Sequence, residues 1–143
     1  MRSAFKYLAG LFFVGIVVQV GLAGIGAFHA VNKNDDGPIA KDKASDWYSA
    51  HGIVGSVLVL VALLLLIVAL IARDKTWRKQ AGVLFVLMIL QLVFAGLGSS
   101  VWALGFLHPI NALAIFALSG MLAHSAWRST TDPPVSPAAA SVV

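Results

Sequence analysis

Few side chains of this chain can do chemistry. It has no cysteine and four histidines, and none of its six acidic residues falls inside a long apolar stretch. Disulfides, thiolate nucleophiles and sulfur-bound metals are therefore excluded, and ligation or proton transfer falls to imidazole. Two of the histidines share a context. Gln19-Val-Gly-Leu-Ala-Gly-Ile-Gly-Ala27 and Gln91-Leu-Val-Phe-Ala-Gly-Leu-Gly-Ser99 have in common Gln, then Ala-Gly, then Ile or Leu, then Gly. Each is followed by a loop and by a histidine that opens the next apolar run, His51 in Ala-His-Gly-Ile and His108 in Leu-His-Pro-Ile. The pattern reads as a duplicated helical hairpin, and two histidines equivalent under a duplication are a candidate ligand pair for one metal.

The remaining histidines do not pair. Under the same repeat His29 corresponds to Val101 and His124 to Ile67. A helix rising 1.5 Å per residue puts His124 about 24 Å from His108, at the opposite face of a membrane from His29. For His124 the expected role is that of an amphipathic residue snorkelling at an interface. The same reading applies to His29, with a position near the outer edge of a cofactor as its alternative.

The elements that must hold the pair follow from composition. A mean hydropathy of +0.90, 59% hydrophobic and 11% charged residues describe an integral membrane protein, and the lipid bilayer is its first partner. Apolar stretches at about 7–28, 51–72, 80–98 and 105–126 are each long enough to cross a hydrocarbon core of about 30 Å. The expected fold is all-α: a four-transmembrane-helix bundle at 1–127, built from two parallel helical-hairpin repeats with a pseudo-twofold along the membrane normal. The extra residues of the first repeat go into its outer loop, where Asn34-Asp-Asp-Gly37-Pro38 predicts a reversal and 39–50 a short interfacial helix ending at Trp47 and Tyr48. Residues 128–143, with Asp-Pro-Pro and Ser-Pro-Ala-Ala-Ala, are expected to be a disordered cytoplasmic tail.

Basic residues set the orientation. Arg2 and Lys6 precede the first span, Arg73, Lys75, Arg78 and Lys79 crowd the second link, and Arg128 follows the fourth span. Both termini are thus expected in the cytoplasm, in a bacterial plasma membrane. Trp47 and Trp102 would then lie at the outer interface and Trp77 and Trp127 at the inner one. The sequence pI near 9.8 reflects this topology, and no nucleic-acid partner is expected. Met1-Arg-Ser-Ala-Phe-Lys6 and its apolar run also resemble a secretory signal, but the run is longer than an ordinary signal core and is expected to remain as a helix.

Two imidazoles without a nearby carboxylate or thiolate restrict the metal. Zinc and non-haem iron recruit three or four protein ligands, whereas haem needs only two axial ones because the porphyrin supplies four nitrogens. One six-coordinate haem b per chain, near the outer face with His51 and His108 as axial ligands, fits the inventory. Gly52, Gly55, Gly24 and Gly96 would leave room for a flat ring, although small residues also serve close helix packing. Gln19 and Gln91, deeper in the membrane, need polar partners and are expected to bond between helices. Pro109 clashes with a continuous helix, so the fourth span should start or kink at His108 and aim its side chain.

With these residues in place, the chain resembles one four-helix half of haem A synthase. In that family a ligand histidine opens the second helix in a His-Arg-x-x-Gly-Ser context, which His51-Gly-Ile-Val-Gly55-Ser56 resembles. A Gln-x-x-x-Gly stretch and a second histidine on the following pair are similar to Gln91 through Gly98 and then His108. The resemblance covers roughly 8–127 and implies that His51 and His108 are axial ligands. It departs in two places: Tyr48 stands where the family has a catalytic glutamate, and Gly52 where it has arginine. The second four-helix half is absent as well, so haem hydroxylation is not expected.

The expected function is that of a small b-type cytochrome passing single electrons to or from a quinone or a larger redox complex, as a monomer or a homo-oligomer. A cofactor-free accessory subunit and a haem-handling protein are the alternatives. The same residues serve electron transfer and haem handling alike.

Overall fold

The computed structural model describes residues 1–34, 37 and 40–131. The predicted reversal at 34–38 falls mostly outside them, as does the predicted tail from 132 onward. The described chain is all-helical: α1 Arg2–Asn34, α2 Lys41–Trp47, α3 Ser49–Ala72, α4 Lys75–Ser100, a 3-10 turn Trp102–Phe106 and α5 Leu107–Thr131. Four of these helices are long and apolar enough to cross a membrane. α1, at 33 residues, is about 50 Å long and outruns the hydrocarbon layer. The short helix expected before Tyr48 is present as α2, and α5 runs three residues past the expected start of the tail.

The breaks between helices have local causes. α3 ends where Arg73 takes a left-handed conformation at φ 56°, its N–H donating to the Leu70 carbonyl. Asp74 then caps α4, its carboxylate accepting from the backbone N–H groups of Thr76 and Trp77 at 3.0 Å each. At the other end Val101 is extended and stops α4. α5 starts at Leu107, so Pro109 sits in the first turn, where its missing N–H has no partner to lose. The expected start at His108 is off by a single residue. Here two backbone segments also approach closely: a Cβ on Gly98 would stand 2.7 Å from the Gly105 Cα, so only glycine lets α4 and the 3-10 turn touch.

The four long helices form a square. α1 packs against α3 and α5, and α4 against α3 and α5, while the backbones of the diagonal pairs α1/α4 and α3/α5 do not meet among the described residues. α2 lies against α1 and α3, and the 3-10 turn against α4 and α5, so each caps one hairpin at the same end of the bundle. We call this the histidine end and the other the basic end.

Packing is concentrated in the basic half. Phe5, Phe12, Leu65, Leu84, Ile115 and Leu122 are fully buried there, and Phe5 stacks on Trp77 with ring centres 4.3 Å apart. Trp77 therefore turns into the core, unlike the interfacial position expected for it, because the bundle needs a large ring to close this end. Trp127 keeps the interfacial role, exposed and covered by the Lys6 ammonium 4.2 Å from its ring centre. The core stops at the level of Ile16, Leu58, Met88 and Ile115. Outward-facing Leu11, Val14, Leu60, Ile67, Val86 and Met121 are exposed, as lipid-facing side chains are.

The Asp74 cap gives a direct test of the link. Asp74→Ala removes both bonds and should destabilise the protein by about 1 kcal/mol, whereas Asp74→Asn, which still caps, should remain close to the parent. Thermal unfolding in detergent, followed by circular dichroism, distinguishes the two.

Candidate cofactor site

Above the last packed layer, His51 and His108 approach one another from opposite walls. His51 belongs to the first turn of α3 and His108 to the first turn of α5, the two helices on one diagonal of the square. Their ring centres are 6.1 Å apart, with planes inclined at 58°. The sequence pairing of these two residues is therefore matched by their proximity.

Each ring is held in the same way. His51 Nδ1 lies 3.1 Å from the Gln19 backbone carbonyl, and His108 Nδ1 lies 3.2 Å from the Gln91 backbone carbonyl. A carbonyl only accepts, so Nδ1 carries the proton in both rings. The neutral imidazole then keeps its lone pair on Nε2, the form in which histidine binds metals, with the other nitrogen donating to a carbonyl. An imidazole nitrogen sits about 2.0–2.1 Å from a metal and about 1.1 Å from its own ring centre, so two opposed rings on one ion have centres about 6.2–6.4 Å apart. The observed separation of ring centres, 6.1 Å, is close to that value.

The glutamines act from their side chains too. Gln19 Nε2 donates to the His51 backbone carbonyl at 2.7 Å, so Gln19 and His51 bond reciprocally and join α1 to α3. Gln91 Oε1 accepts from Asn111 Nδ2 at 2.6 Å, and the same amide lies 2.9 Å from the Leu87 carbonyl, joining α4 to α5. Both glutamines thus bond between helices, as expected. Asn111 was not singled out from the sequence. Its signal is that it is the sole asparagine within an apolar span, where a polar side chain must find a partner, and it is buried one turn beyond His108.

Between the walls is a cavity of about 440 Å³ that both histidines line, with Ile16, Leu58, Met88 and Ile115 forming its floor. Gly52 and Gly55 also line it. Their roles differ: a Cβ on Gly52 would meet nothing within 4 Å, while one on Gly55 would stand 2.7 Å from Gln19 Nε2. Gly55 makes room for the amide that grips α3. Gly24 and Gly96 are not brought to this cavity. Gly24 lies in a separate depression along α1 with His29, and the Gly96 carbonyl accepts from the Ser99 and Ser100 hydroxyls.

The other histidines stand apart. His29 is exposed and stacks on Trp47 with ring centres 4.5 Å apart, and His124 is exposed on the basic half of α5. Among the described residues no group of three or more His, Asp or Glu side chains gathers as a metal cluster would. A two-donor site suits a metal that brings its remaining ligands with it. Gln19 Oε1 is buried beside the cavity with no partner among the described residues.

Residues 19–99 match the model of a family of unknown function, DUF6220, and the chain belongs to that family. The matched stretch begins at Gln19 and contains His51, Gly55 and Gln91, and His108 lies beyond it. No curated protein and no solved structure matches the chain.

The two cavity glycines should respond oppositely to a methyl group. Gly52→Ala fills open space and removes backbone entropy, so it should be neutral or stabilising by up to about 1 kcal/mol. Gly55→Ala displaces the Gln19 amide and should destabilise by about 1–3 kcal/mol. Unfolding of both variants in one detergent checks the difference.

Proposed function

We propose that this protein is a small integral membrane cytochrome of the b type, holding one haem between His51 and His108 near one face of the bilayer. The observation that carries the proposal is the pair of imidazoles at metal-bridging distance, each with Nδ1 bonded to a backbone carbonyl and Nε2 left for the iron. When bound, the haem supplies a one-electron couple. The chain's own part is to fix both rings in the ligating tautomer, to keep water out with apolar walls, and to set the donor spacing.

The same reading takes the bundle as two parallel hairpins related by a pseudo-twofold along the membrane normal. Its support is the repeated bond, His51 to the Gln19 carbonyl and His108 to the Gln91 carbonyl. The cluster of Arg73, Lys75, Arg78 and Lys79, with Lys6 and Arg128 at the same end, favours a cytoplasmic basic end and a site near the outer face. With its ligands in one half only, the bundle does not wire electrons across the whole bilayer. Its role is exchange with a quinone or a redox complex on one side. Tyr48 and Gly52, where the resembling haem A synthases have glutamate and arginine, argue for electron transfer over hydroxylation.

Dithionite-reduced minus oxidised spectra of the purified protein test this. The parent should show sharp α and Soret bands, lost in His51→Ala and in His108→Ala and kept in His29→Ala and His124→Ala. A colourless parent from haem-replete cells would leave an accessory subunit without cofactor as the reading. Loss in the second pair of variants alone would mean the ligands are elsewhere.

A further inference from the structure

We infer that the site is loaded from within the bilayer, haem passing edge-on through the histidine-end half of the seam between α1 and α5. This rests on the haem reading above and adds the route by which the ligand arrives. Val20 of α1 and Ile110 and Leu113 of α5 line the cavity, yet they are 61%, 58% and 66% exposed. A side chain that both lines an interior cavity and faces outward stands at its mouth. Because these residues lie in membrane-spanning helices, the mouth opens on hydrocarbon and not on water.

Two of the other three seams are tied by hydrogen bonds. The α1–α3 seam is crossed by the reciprocal Gln19–His51 bonds, and the α4–α5 seam by the His108–Gln91 and Asn111–Gln91 bonds. Toward the basic end the floor of Ile16, Leu58, Met88 and Ile115 is packed. On the fourth side Gly52, Leu92 and Ala95 also line the cavity and face outward, Leu92 at 49% exposure, and the capped turn at Arg73 and Asp74 ties α3 to α4 only at the basic end. The α1–α5 seam is favoured by its more exposed rim and because no loop joins its two helices. No covalent link joins α1 to α5. Phe13 on Phe116, at 5.4 Å between ring centres, and Lys6 over Trp127 latch only the basic half of their seam. The histidine half can open by a small swing of one hairpin against the other.

The ligand's chemistry suits that path. Haem is a flat amphiphile that dissolves in bilayers with its carboxylates at the headgroups and its macrocycle among the acyl chains. Sliding sideways, it reaches rings near the helix ends without crossing water. The two Nε2 lone pairs form bonds to ferric iron and displace its water or halide ligands. Each Nδ1 keeps its proton, hydrogen-bonded to the Gln19 or Gln91 carbonyl, and no electron is transferred.

The test is a stopped-flow measurement of Soret development in apoprotein reconstituted in liposomes, with haemin predissolved in donor vesicles or carried on serum albumin in the aqueous phase. Uptake from vesicles should be the faster. The double variant Val20→Trp/Leu113→Trp should slow it several-fold and end at the parent's band, while Ala95→Trp, on the α3–α4 side, should not. Ile110→Trp is the second plug on the same rim, should the double variant fail to reach that band. Equal rates in parent and plugged protein, or slowing by Ala95→Trp alone, would overturn the route. A parent that gains no Soret band from either donor would instead overturn the haem reading itself.

Discussion

The constraint on which the site depends is the bond from each imidazole Nδ1–H to a helix carbonyl. A carbonyl inside a helix already accepts from the amide four residues on, but it has a second lone pair, and Gln19 and Gln91 offer theirs to the facing helix. In a low-dielectric interior an imidazole that swung free would lose this bond with no water to replace it. The ring is therefore held in one tautomer and one orientation before any ligand is present. The same two bonds fasten α1 to α3 and α4 to α5. The geometry of the histidine rings and that of the hairpins are set by one interaction, and changing either disturbs the other.

The division of the bundle into a packed half and an open half follows. In lipid the hydrophobic effect gives helices little reason to associate, so cohesion must come from close packing and from polar bonds. The basic half uses packing, with Phe5 on Trp77 and Leu65, Leu84 and Leu122 completely enclosed. The histidine half uses polar bonds along two seams and leaves its middle hollow. A bundle packed throughout would have no place for a ligand. One without the buried layer at Ile16, Leu58, Met88 and Ile115 would let the histidine walls drift apart.

Much of this was legible in the sequence because it depended on local or periodic signals. Hydropathy located the four long helices, and the histidine pair emerged from position within a repeated motif, which is independent of side-chain packing. The exact place of α5 was nearly right because Pro109 restricts the backbone in a known way. What escaped was whatever depends on which way a helix faces. Trp77 reads as an interfacial residue by composition and yet turns inward onto Phe5. Gly24 and Gly96 share the motif with Gln19 and Gln91 but lie off the cavity, since positions five residues apart on a helix point in widely different directions. Asn111 has no repeat partner, the equivalent position being Val54, so a search for symmetry passes over it.

That asymmetry sets the two histidine arms apart. The His51 arm closes on itself: the Gln19 side-chain amide donates to the His51 carbonyl, and the Gln19 backbone carbonyl accepts from the His51 ring. On the His108 arm the Gln91 side chain turns instead to Asn111, which also reaches the Leu87 carbonyl one turn earlier on α4. The first arm is a two-residue clasp. The second spreads its bonds over two turns of α4 and two of α5, so displacing His108 would disturb a longer stretch of both helices. Among the described residues Gln19 Oε1 has no hydrogen-bond partner, whereas Gln91 Oε1 is taken by Asn111. The two histidines are thus supported unequally: both rings bond to main-chain carbonyls, but the side-chain bond that backs His51 comes from Gln19 alone.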